Sequence, residues 1–140
     1  MAFTSNLKPT YSLGPMAAKV VLPAAAKTVL TDTSNAAKLV SAMNDNRQLF
    51  GMVFAQPAAT LVAGKLMLFL VSGASAFDID EIAHAAMTVN TTTRADMIQF
   101  SRWSNNSPLI IPEGHELWIA TAVAQTAGAL VGHAQSGKVF

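Results

Sequence analysis

The last nine residues, GHAQSGKVF (132–140), hold Gly132, four residues, then Gly137 and Lys138, which is seven of the eight positions of a phosphate-binding P-loop. That loop works because a strand leads into glycines whose N–H groups cradle phosphate at the start of a helix. Its last position must also offer a hydroxyl to magnesium. Here that position is Val139, and only Phe140 follows it in the sequence. The context therefore argues for a glycine turn at Ser136-Gly137 before a short last strand, with Phe140 packed and Lys138 touching no phosphate. A second candidate is the acidic group Asp78, Asp80 and Glu81. Strand alternation would set Asp78 and Asp80 on one face, about 7 Å apart. No EF-hand spacing surrounds them, so a solvated outer face is the better reading. The three histidines, His84, His115 and His133, fall at no metal-ligand spacing. No serine stands in a GxSxG elbow. The sequence therefore supports no enzyme, no cofactor and no metal site.

Composition sets wider bounds. A chain of 140 residues makes a comfortable single domain, burying roughly 68% of the surface its unfolded form exposes. It contains no Cys, which excludes disulfides and thiolate chemistry. Nine basic and eight acidic residues are scattered without a basic stripe, so no nucleic-acid footprint is expected. Charged residues make up 12% of the chain, against about 25% in an ordinary soluble domain. So few charges cover a small domain poorly, which favours a surface largely buried against partners. The strongest apolar run, Leu66 to Val71, is far short of the roughly 20 residues a membrane helix needs. The first residues lack the charge and apolar core of a signal peptide. The expectation is a soluble chain, away from membranes, made inside the cell.

The elements that must position these residues are short. Apolar segments at 17–22, 27–32, 36–42, 47–55, 64–73, 75–82, 95–103, 115–124, 127–134 and 137–140 lie between Pro, Gly and Asn. Such spacing predicts an all-β antiparallel sandwich over residues 17–140. NAAKLVSAM and EIAHAAM are alanine-rich and could instead be single helices. Segment 64–73 is apolar on both faces, as in a central strand covered on one side by the core and on the other by a partner or an arm. Residues 1–16 carry isolated Phe3, Tyr11 and Leu13 among polar residues, Pro9, Gly14 and Pro15, and read as an extended N-terminal arm. Trp103, beside Arg102 and before Ser104-Asn105-Asn106, would sit at a strand end and pack in the core or at an interface.

Two stretches carry a resemblance. GKLMLFLVSGASAFDIDEIAHAAMTV (64–89) runs from a Gly-Lys-led apolar strand to an Ile-Asp-Glu-Ile element, Ile79 to Ile82. PLIIPEGHELWIATAVA (108–124) turns at Ile110 to Gly114 into a strand bearing Leu117, Ile119 and Thr121. Followed by the short strand Gly137 to Phe140, this resembles the small jelly-roll-like β-sandwich structural proteins of tailed-phage virions. The resemblance implies a virion protein, assembled in the host cytoplasm, that works by assembly and not by catalysis. Its first reading is a capsid decoration, or cement, protein. Such a protein would form a homo-oligomer, a trimer, on the lattice of the major capsid protein. Phe3, Tyr11 and Leu13 would anchor the arm, and Trp103 and Phe140 would pack at contacts. A neck, tail or fibre-adaptor subunit is the alternative within the virion. A carbohydrate-binding sandwich using Trp103, Asn105 and Asn106 is the alternative outside it.

Overall fold

A computed structural model describes residues 15–140, which form nine strands and no helix. They are β1 (Pro15–Val21), β2 (Ala37–Val40), β3 (Gln48–Pro57), β4 (Gly64–Ser72), β5 (Ser75–His84), β6 (Ile98–Gln99), β7 (Leu109–Ile111), β8 (Glu116–Thr121) and β9 (Leu130–Val139). Sheet A has the order β1-β9-β3, with β7 and β6 following one another along the far edge of β3. Sheet B has the order β2-β8-β4-β5. All pairings are antiparallel, and the chain is the expected all-β sandwich. The two alanine-rich stretches are strands β2 and the end of β5, since both must complete sheet B. Pro15 and Met16, read as the end of the arm, begin β1 and pair with Lys138 and Gly137. The rest of the arm, with Phe3, Tyr11 and Leu13, lies outside the described residues.

The core lies between the sheets. Phe50, Val53, Ala55, Ile98, Phe100, Leu109, Ile111 and Ala134 reach it from sheet A and the segments around it. Leu39, Leu66, Leu68, Leu117 and Ile119 reach it from sheet B. Each strand alternates as a pleated ribbon must, and one-residue slips would turn a face outward. On β3 the core-facing positions shift from Phe50 to Val53, and on β9 from Gly137 to Ala134, yet the two strands stay in one unbroken register. The parity therefore changes together on both. The register of β1 against β9 slips at the same level, between Met16 and Ala18, where Ser136 adopts a φ of 55°. This is a bulge inside a single strand. The segments 127–134 and 137–140, expected as two strands separated by a turn at Ser136-Gly137, are thus one continuous β9. Gly137 is needed because a Cβ there would come within 2.6 Å of Phe50 Cε1 and 2.7 Å of the Met16 carbonyl oxygen. A side chain has no room between those strands.

Sheet B has a second apolar face. Met67, Phe69, Val71, Ala76 and Ala120 are buried on the side away from the main core. The expectation was that a partner or the arm would cover them. The chain covers them itself, with the β1–β2 connection, residues 22–36. Backbone bonds from Lys27 to Thr121 and from Ala76 to Thr31 bind this strap to sheet B, and bonds from Leu22 to Leu130 and from Gln125 to Ala24 tie its start to β9 and the β8–β9 connection. Its centre is Lys27, whose side chain is fully buried. The ammonium donates to the carbonyls of Asp32 (2.9 Å) and Ser34 (2.7 Å), and lies 5.1 Å from the centre of the Phe69 ring. Asp32 Oδ1 approaches the ammonium at 3.4 Å and also accepts from the Ser34 amide and hydroxyl. Segment 27–32 is therefore not the strand that its apolar content suggested. A buried ammonium must find acceptors, and the strap curls to supply them.

Segment 95–103 is also mostly irregular. Only Ile98 and Gln99 pair with β3, after which Phe100 turns into the core and Arg102 reaches β5. Strand β7 was not among the expected segments. Two measurements test this account. Gly137→Ala should destabilise the chain by about 1–3 kcal/mol in thermal or urea unfolding, because overpacking forces neighbours apart. Lys27→Ala should cost about 2–4 kcal/mol, since it removes the donor to two strap carbonyls and leaves a void over Phe69. Lys27→Met, which keeps the stem, should cost less, and both should speed amide exchange in residues 22–36.

Candidate functional site

The outer face of sheet A is the feature that no part of the described chain closes over as the strap closes over sheet B. Its rows follow from the register. Ile110, Leu49 and Lys138 stand side by side, then Gln99, Phe54, His133 and Lys19, then Gln56, Val131 and Val21. The face mixes apolar residues with Gln56, Gln99 and Gln135 and isolated cations. Ile110 is 50% exposed on the β7 edge, and Val21 is exposed at the opposite corner of the sheet on β1. Phe54 is buried beneath His133, the rings stacked with centroids 4.8 Å apart and 12° between planes. That burial, and the nearby Lys19 charge, hold the His133 imidazole below its ordinary pKa.

One cleft interrupts this face. Its lining is Leu49, Gly51, Asn105, Pro108, Ser136, Lys138 and Phe140, with a volume of about 110 Å³. Small-molecule sites usually start near ~300 Å³, so this one suits a single side chain. The β6–β7 loop forms one wall. Ser104 and Ser107 exchange backbone hydrogen bonds of 3.1 Å, and this tight turn lays Asn105 across Gly51. Phe140 is half-buried at the other wall, its backbone exchanging two 2.9 Å bonds with Arg47. Lys138 projects beside it, exposed.

The remaining sequence candidates fall elsewhere. Trp103 is half-buried against the core, 6.3 Å from the Phe100 ring, with the Arg102 guanidinium 5.9 Å from its own ring. Asn105 lines the cleft, whereas Trp103 packs on Phe100 and Arg102. Gly132 and Gly137 face neighbouring side chains at close range and serve packing. Among the described residues, no group of three or more His, Asp or Glu is placed to hold a metal ion. His115 Nδ1 lies 2.9 Å from the Glu113 carbonyl, while His84 is buried with Nδ1 3.2 Å from the Ala85 carbonyl.

The acidic group is divided by the fold. A bulge in β5 aligns Asp80 with Leu68 but Asp78 with Phe69. These β4 neighbours point to opposite faces, so Asp78 and Asp80 do too, contrary to simple alternation. Asp80 turns toward the sandwich interior and meets Arg102 at 3.7 Å. Asp78 stays on the outer side. Its carboxyl is raised above the ordinary range, first by desolvation and then by the charges of Glu81 and Asp80. A raised native pKa disfavours the folded state once the group ionises, so the effect appears as pH rises through that pKa and is absent below the unfolded value. Asp78→Asn should therefore raise the melting temperature at neutral pH and leave it unchanged at pH ~3, below the ordinary aspartate value; paired thermal melts at the two pH values check this. No family model matches this chain, and comparison with curated proteins and with solved structures finds no match either.

Proposed function

We propose that the chain is a non-enzymatic structural protein of a tailed-phage virion, acting as a capsid decoration protein. The observation that carries the reading is the outer face of sheet A, which no described residue closes over and which bears lysines and no carboxylate, on a sandwich whose other outer face the chain covers itself. Such a face finds its cover in an assembly. Strand order supports the fold half of the reading. With β6 and β7 taken as one interrupted strand, the path runs through A, B, A, B, B, A, B and A. Two sheets joined by repeated crossings of this kind are the pattern of an eight-strand jelly roll. Sequence stretches 64–89 and 108–124 resemble those of virion sandwiches and now fall on β4–β5 and β7–β8.

In this reading the protein sits as a homo-oligomer, a trimer, on the major capsid lattice. Each contact stabilises the shell by burying apolar area at about 25 cal/mol per Å², offset by the ordering of any segment that docks. A neck, tail or fibre-adaptor subunit would use the same face at fewer positions. The carbohydrate-binding alternative loses support because the Trp103 ring is engaged by Phe100 and Arg102. Quantitative mass spectrometry of purified virions checks the reading. The expected result is a copy number on the order of the capsid protein's. A few copies per particle would move the protein to the neck or tail, and none would overturn a virion role.

A further inference from the structure

The strap over sheet B is built inside out. Its lysine is buried, while Val29 and Leu30 are 45% and 44% exposed. The Ala76 amide donates to the Thr31 carbonyl at 3.1 Å, which fastens this apolar tip beside β5. The next β5 residue is Phe77, 58% exposed, followed by Asp78 and, further along, Glu81. Phe77 pairs with Leu70 and points to the main-core side of sheet B, so the projection on the outer side is Val29 and Leu30, flanked by Asp78 and Glu81.

The opposite side of the molecule offers the complement. The strands of sheet A contain Lys19 and Lys138 and no Asp or Glu. The strands of sheet B contain Lys38 and Lys65 against Asp78, Asp80, Glu81 and Glu116, two cations against four carboxylates. With Asp80 turned inward onto Arg102, the outer side of the sheet B strands carries Lys38 and Lys65 against Asp78, Glu81 and Glu116, 2 − 3 = −1, against +2 on sheet A. Lys19 on β1 and Lys138 on β9 lie toward one edge, and Leu49, Met52 and Ile110 extend the face across β3 and β7. At strand spacings of ~4.8 Å and ~3.4 Å per residue, that face spans roughly 20 by 30 Å, enough for one such projection.

We propose that the strap tip and β5 flank of one copy of this chain dock on the outer face of sheet A of the next. Val29 and Leu30 meet the apolar rows, and Asp78 and Glu81 approach Lys19 and Lys138. The two surfaces differ and lie on opposite sheets, so the contact is head-to-tail. It generates a closed ring or an open filament and not a two-fold dimer. The proposal rests on the reading of the chain as an assembly subunit and identifies the surfaces that assembly uses.

Sedimentation velocity of the full chain tests it. The wild type should associate at micromolar concentration, more weakly as salt screens the charges. Lys19→Glu with Lys138→Glu should weaken association at least about tenfold, as should Asp78→Lys with Glu81→Lys, because each sets like charges together. All four substitutions in one chain exchange the two signs and should restore association, as should mixing the two double variants. All sites are on the surface, and circular dichroism verifies that each variant is folded. A monomeric wild type overturns the interface. So does a Glu81 and Asp78 double variant that associates like the wild type, since the contact would then avoid β5. A monomer that still enters virions overturns this interface alone and leaves the decoration reading standing.

Discussion

Leu66 and Leu68 face the main core and Met67, Phe69 and Val71 face away from it, so the central strand of sheet B must be covered twice. The other sheet supplies the first cover. The second can only come from a segment long enough to cross the sheet, and the β1–β2 connection is that segment. Its course then fixes much else. Leu22 closes against Leu130, and Ala24 takes the Gln125 amide. Gln125 in turn exchanges two 2.9 Å bonds with the Val62 backbone, tying the β3–β4 and β8–β9 connections together. Lys27 supplies the apolar stem that the cluster needs, and its charge finds carbonyls within the strap. A buried cation is stable only with such acceptors, and here a ring face adds to them.

Much of this organisation is legible from residue patterns, and the exceptions have physical causes. β4 is readable because a strand with no polar face must be central. β3, β5 and β8 are readable from alternation and from the turn residues that bound them. The strap is not readable, because Lys27 belongs to a residue type that normally marks solvent, while Val29 and Leu30 belong to types that normally mark a core. Their roles are exchanged here by tertiary packing. The break between Asp78 and Asp80 was hidden too, since a single extra residue in β5 leaves no compositional trace. Gly137 was visible as a glycine, but its meaning was not. Turn glycines and close-approach glycines look alike until the neighbouring Phe50 and Met16 are placed. Of the site, Phe140 is legible as a bulky apolar residue expected to pack, whereas Leu49, Ile110 and His133 become neighbours only through pairing across distant strands.

The edges of the sandwich are as informative as its faces. β5 is long enough to recruit another strand, yet it is bulged, turns Asp80 inward and has the Ile79 carbonyl taken by Arg102 at 3.2 Å. Each of these discourages edge-to-edge pairing. β2 has four residues, β7 three and β6 two, too short to template a partner. Besides the seven-residue edge of β1, contact through side chains of a face is thus the route that the architecture leaves open. It is also a route whose geometry can be specific, because rows of side chains fit in one register only.

The position of β9 carries a consequence for how the chain reaches this state. It is the last strand, yet it lies inside sheet A between β1, the first strand, and β3. Until residues 130–139 are made, β1 has no neighbour and the long flank of β3 is bare. Sheet A therefore closes late, by a search between segments more than a hundred residues apart in sequence. Such non-local closure is slow, and it leaves two unpaired strands in a growing polypeptide that is prone to misassociation. The same insertion ties the two ends of the domain into one ladder, so neither end can peel away without opening the sheet.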